Sequence, residues 1–221
     1  MRSGVWSSAD RDSGNDAGRA WAGLAALLGF GAAAVFAAAT FDPAAFAAAT
    51  ASLDWQPALA WRQPWRAWSA AWLHFSSLHL AANLAGTALV GALGWIGRVP
   101  RRTTLAWFVA WPLTQIGLLV QPELLHYGGL SGVLHAGVAV AALYLMVSAR
   151  GPRRAIGVAL LAALAAKVLS EAPWGEALRH PAGWDIAVAP FAHASGFVAG
   201  LLTSAVAEGQ HGRTATIGRH D

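Results

Sequence analysis

The chain has 221 residues, of which 56% are hydrophobic and 12% charged, and its mean hydropathy is +0.45. A soluble globule carries about 25% charged residues to cover its surface, so this composition excludes an ordinary water-exposed domain and makes lipid the solvent over most of the surface. The net charge of +4 does not indicate a nucleic-acid binder, because the basic residues sit between apolar runs rather than on one soluble face. The absence of cysteine excludes disulfides and thiolate chemistry, and no residue pattern calls for a cofactor or metal. Abundant Ala, with Arg far outnumbering Lys, hints at a GC-rich bacterial genome and no more.

Residues 1–19 are polar and rich in Gly, Ser and Asp, a composition expected to form a disordered tail. Six apolar runs follow, at Trp21–Ala39, Leu78–Ile96, Thr103–Val120, Leu130–Ser148, Ala155–Leu169 and Ala187–Val206. A bilayer needs roughly 20 apolar residues per helical span, so the expectation is a single all-α membrane domain of six spans over residues 20–207. A second disordered tail is expected at 208–221. The first run also suits a signal peptide, but the acidic residues Asp10, Asp12 and Asp16 before it favour a retained helix.

Orientation follows from the Arg residues. The clusters Arg98, Arg101, Arg102 and Arg150, Arg153, Arg154 fall in two short loops on the side of both termini, which makes that side cytoplasmic. The expected location is therefore a bacterial inner membrane, with polar loops toward the periplasm. Lys167 is the one basic residue inside a run, near its outer end, where snorkelling to the headgroups is the default reading.

Between the first two runs lies a long loop, Phe41 to about Ser77, containing Trp61, Trp65, Trp68 and Trp72. Spacings of four, three and four place the indoles on one helical face. Trp favours the membrane interface, so a short amphipathic segment in the outer leaflet is expected, interrupted or started by Pro64. A merely sticky loop is the simpler alternative.

Three polar clusters sit near the outer ends of spans, where each needs an explanation. Gly129-Leu130-Ser131-Gly132 puts a serine at a helix N-terminus, beside unpaired N–H groups and the positive end of the helix dipole. Such a setting stabilises an oxyanion, and the flanking glycines admit a substrate backbone and a tight turn; it also suits a plain helix cap. His193 precedes Gly196 and Gly200, a GxxxG pair that brings another helix close. It is placed to act as general base to a serine on that helix, or simply to bridge two helices. His79 and Asn83 share a helix face, as two donors of an oxyanion hole or as a polar pair between helices. All three clusters lie at one depth, which favours a shared wet pocket. No carboxylate sits near His193 within its span, and Asp185 precedes it in the loop, so a Ser-His dyad without an acidic member is expected.

The set Trp65-Arg66, His74-Phe75-Ser76 with His79 and Asn83, Gly129-Leu130-Ser131-Gly132, and Ala192-His193 with Gly196 and Gly200 resembles the rhomboid intramembrane proteases, in family order from residue 65 to 200. The resemblance implies a six-helix rhomboid-like bundle, Ser131 as nucleophile, His193 as base, and an oxyanion hole from His79, Asn83 and the Ser131 N–H. His135 stands where many bacterial rhomboids carry a tyrosine packed on the catalytic histidine; with the small size of the chain, this resembles the rhombosortase branch. That branch is associated with trimming C-terminal, Gly-Gly-containing sorting signals from exported proteins, so transmembrane or C-terminally anchored proteins are the implied partners. His135 shares the face of Ser131 and leaves the identity of the base open, with His193 preferred because it approaches from across the cleft. The competing reading is a non-catalytic rhomboid-like protein that binds or escorts membrane helices. A transporter would show internal repeats, and none is evident.

Overall fold

Gly18, with φ +89°, turns the chain into α1 (Arg19–Thr40). Asp42 then caps Ala44 N at 2.8 Å, and Pro43 opens α2 (Pro43–Leu53), an arrangement suited to a helix start because proline lacks an N–H that would go unpaired there. A single turn, α3 (Arg66–Ser69), runs into a 3-10 turn at Ala70–Trp72. The long helices α4 (Ser77–Ile96), α5 (Arg101–Ile116), α6 (Ser131–Ser148), α7 (Pro152–Ser170) and α8 (Pro190–Ile217) follow, with α5 continued by a 3-10 turn to Val120. This computed structural model describes residues 17–217. Among the described residues, five helices are long and apolar enough to cross a membrane: α1, α4, α5 with its 3-10 extension, α6 and α8. The protein is therefore an all-helical, multi-pass membrane protein.

Three expectations need adjusting. Helix α7 lies where a sixth span was expected, but it carries Arg153, Arg154 and Lys167 within 19 residues and stands outside the five. Helix α8 continues to Ile217, past Glu208, where the apolar run gives way. The N-terminal tail lies outside the described residues, apart from positions 17–19. The tryptophan stripe is not one helical face, because turns around Pro64 and the 3-10 turn at 70–72 break the period. Trp61, Trp65 and Trp68 are exposed, whereas Trp72 packs on the main core and meets Trp111 edge-on at 5.5 Å.

Helix α6 is the central post, with Val133, Ala136, Ala139, Val140, Ala141 and Ala142 all buried. Trp21 of α1 stacks on Trp107 of α5 at 4.4 Å. Their indole N–H groups donate to Val90 O at 2.8 Å and Val133 O at 2.9 Å, so two indoles link four helices and both of their own donors are met. Small residues set the fit of α8 on α6: a β-carbon on Gly196 would run into the Gly132 carbonyl, and one on Gly200 into that of Ala136. Backbones approach this closely only through such residues. At the end of the bundle away from Ser131, Glu208 accepts from Thr103 at 3.0 Å and Ser148 at 2.7 Å and pairs with Arg102 at 3.3 Å, fastening α5, α6 and α8 together.

Candidate active site

The segment leading to Ser131 is braced from the loop after α1. Asp54 is fully buried and pairs with Arg66 at 2.6 Å and with the His126 ring at 2.5 Å. Arg66 also donates to the Asp54 carbonyl at 2.8 Å, so the buried cation is met on more than one side, as burial of a charge requires. Trp55 and Tyr127 exchange backbone hydrogen bonds of 2.7 and 2.9 Å, and Gly129 N donates to Ala70 O at 2.9 Å. Trp65-Arg66 thus supplies, through Arg66, a side chain that holds the strand-like approach to the serine.

Gly129 has φ +128°, which L side chains rarely adopt. A β-carbon there would also lie 2.7 Å from His79 Nε2, so two independent constraints require glycine. The chain then enters α6 at Ser131, whose N–H, as the first of the helix, has no intrahelical partner.

Ser131 Oγ lies 3.0 Å from His193 Nε2. His193 Nδ1 is 2.6 Å from Glu171 Oε2. A carboxylate only accepts, so Nδ1 carries the proton and Nε2 is left to accept from the serine hydroxyl. Glu171 is held in turn by Lys167 at 2.6 Å. Burial raises the Glu171 carboxyl, but the hydrogen bonds and charges of His193 and Lys167 prevail and lower it to about 2.

His135 occupies a different place from His193. Its ring stacks on that of His193 with centroids 4.2 Å apart and planes within 10°. Its Nδ1–H donates to the Ser131 carbonyl at 2.6 Å, and its Nε2 has no partner among the described residues. It therefore touches the serine backbone, whereas His193 meets the hydroxyl.

His79 and Asn83 face the same hollow. Phe75 N–H donates weakly to His79 Nδ1 at 3.5 Å, which leaves the proton on Nε2, the atom beside Gly129. The Asn83 amide spends one hydrogen on His79 O at 3.0 Å and is buried. Ser76 caps α4 through His79 N at 3.0 Å and donates to Asp185 at 2.8 Å. A cavity of about 1020 Å³ is lined by His79, Asn83, Ser131, His135, Glu171 and His193 among others. Gly132, Gly196 and Gly200 lie outside the chemistry and set the spacing of α6 and α8.

Ser131, His193, His79, Asn83 and His135 thus line one cavity, and one expectation is corrected. His193 does have a carboxylate partner, Glu171, from the end of α7. Asp185, the acid considered there, bonds Ser76 instead. Lys167 is turned to Glu171 rather than left as an isolated cation at the span's end. The available signal was the i, i+4 pair Lys167 and Glu171 closing a helix, which points to a local ion pair but not to its third partner 22 residues on.

A Rhomboid domain family profile matches residues 61–209, about two thirds of the chain and every residue of this site. Comparison with curated proteins returns no match.

Proposed function

The chain belongs to the rhomboid family, made up largely of intramembrane serine proteases, and on that premise we propose that it is an intramembrane serine endopeptidase using Ser131 and His193. The observation that carries this reading is the 3.0 Å contact between Ser131 Oγ and His193 Nε2, at a helix N-terminus and on a cavity wall. The hydroxyl oxygen attacks the scissile carbonyl carbon as its proton passes to His193 Nε2. The C–N bond then breaks with that proton delivered to the leaving amine, and water, deprotonated by the same imidazole, hydrolyses the acyl ester. The Ser131 N–H, His79 Nε2–H and the Asn83 amide stand around the oxygen that becomes negative, where donors fixed in advance contribute most.

The substrate reading is narrower. A cavity opening among helix ends suits an extended stretch near the end of a transmembrane or C-terminal anchor segment. His135 beneath His193, where many bacterial rhomboids have tyrosine, supports the rhombosortase-like assignment and hence Gly-Gly-containing C-terminal signals of exported proteins. Arg102 and Arg153 at the end opposite Ser131 support cytoplasmic termini and a site open to the periplasmic side. Labelling of the detergent-solubilised chain by a fluorophosphonate, abolished in Ser131→Ala, tests the nucleophile; labelling that persists in that variant refutes it. Mass spectrometry of exported proteins with and without the gene then tests the substrate class through a defined C-terminal truncation.

A further inference from the structure

We propose that Glu171 is a positioning residue of the reaction, turning the serine–histidine pair into a three-member relay, and that Lys167 locks it in place. The inference rests on the proteolytic reading above and concerns how its base is set.

Three observations carry it. Glu171 Oε2 lies 2.6 Å from His193 Nδ1, on the side of the ring opposite Ser131. The other carboxylate oxygen is taken by Lys167 Nζ at 2.6 Å, so the side chain is held at both oxygens. Arg179 Nη1 donates to the Glu171 carbonyl at 2.9 Å, fixing the backbone that bears it. A carboxylate placed this way selects the imidazole tautomer with Nε2 free and stabilises the imidazolium that forms as the serine loses its proton.

The other titratable groups near His193 come from four elements. From α6, His135 stacks on the ring that becomes positive. From α4, His79 faces the same cavity, and from the loop before α8, Asp185 is drawn away to Ser76. From α7, Lys167 adds a cation. Among these groups Glu171 is the anion bonded to His193, and Lys167 is the cation that holds it.

The test uses the full chain in detergent, with the second-order rate of fluorophosphonate labelling measured from pH 5 to 9. Glu171→Gln, which keeps an acceptor but removes the charge, is expected to label about 10²-fold more slowly at pH 7. Its acidic limb moves down by about 1 pH unit, because the protonated ring loses its anion. Glu171→Asp recovers part of the rate. Lys167→Met removes the cation and leaves the Glu171–His193 bond, so its acidic limb moves the opposite way, to higher pH, with a rate loss of only several-fold. Opposite displacements are not produced by a merely structural role, which lowers labelling in both variants without moving either limb. Wild-type rates and an unmoved limb in Glu171→Gln overturn the role of Glu171 while leaving the nucleophile intact. Should Glu171→Gln fail to fold, an unmoved limb in Lys167→Met overturns it equally. Failure of the wild-type chain to label at Ser131 overturns both readings together.

Discussion

Gly196 of α8 lies so close to the carbonyl of Gly132 in α6 that no β-carbon fits between them. One turn before Gly196 is His193, and immediately before Gly132 is Ser131, so the spacing of two backbones sets the 3.0 Å contact of the site. Gly196→Ala must push the helices apart. A shift near 1 Å at a reacting pair costs about 10²-fold in rate. The expected outcome is a fall of that order in fluorophosphonate labelling, with helical content unchanged by circular dichroism; Gly209→Ala, which meets no neighbour, serves as the control.

Gly129 is constrained twice, by φ +128° and by the His79 ring. Gly129→Ala should cost about 1–3 kcal/mol in backbone strain and displace His79 Nε2 from the oxyanion side. A His79→Ala chain should then gain little further loss from Gly129→Ala, since the displaced donor is already missing. A double-mutant cycle on labelling rates checks this, and additive losses would falsify the link between the two residues.

Arg66 neutralises Asp54 in a buried setting. Removing one member of such a pair strands the other, at a cost of about 3–5 kcal/mol. Arg66→Ala is therefore expected to lower the thermal midpoint in detergent strongly. Asp54→Asn in the same chain should recover part of the loss, because the stranded charge is gone. No recovery would place the role of Arg66 in packing alone.

Two acid windows share a sign and are separable by the pH interval in which each acts. Burial lowers His74 to about 4, against a weaker raising effect from its bond to the Trp72 carbonyl. Its folded value is depressed below the unfolded 6.5, so its neutral form contributes stability above that pH, lost as pH falls toward about 4. His74→Gln should flatten the stability profile in this interval. Melting curves between pH 7 and 4.5 decide.

Glu171 is depressed from 4.5 to about 2, so its contribution is complete above pH 4.5 and is lost only as pH falls toward 2. The stability difference between wild type and Glu171→Gln should be constant from pH 7 to 5 and shrink below 4.5. Residual exposure of the side chain screens the pair and keeps the difference small. A difference that vanishes already at pH 6 would assign it to another group.

Much of this was legible in the chain itself, for identifiable reasons. Spans depend on local apolarity, so α1, α4, α5, α6 and α8 appear as runs, with most ends displaced by a few residues, while α8 runs on well past its apolar stretch to Ile217. Ser131 and His193 are legible because each sits beside small residues whose purpose is close packing. His79 and Asn83 are legible because a helix face is a local property. Glu171 is not, since its bond to His193 joins the ends of two different helices and depends on how α7 leans on α8. Helix α2 has a start signal in Asp42-Pro43, but the tryptophan spacing of the same loop is the stronger periodic feature and masks it. That pattern failed where Pro64 and a tighter turn changed the period.

The buried acid at position 54 has a reach that its location hides. One of its oxygens holds His126, 72 residues further on, next to the tyrosine whose backbone continues toward Ser131. The aim of a hydroxyl within the bundle is thus governed from a strap outside it. Clipping or stretching that strap would silence the site with every membrane-crossing helix left undisturbed.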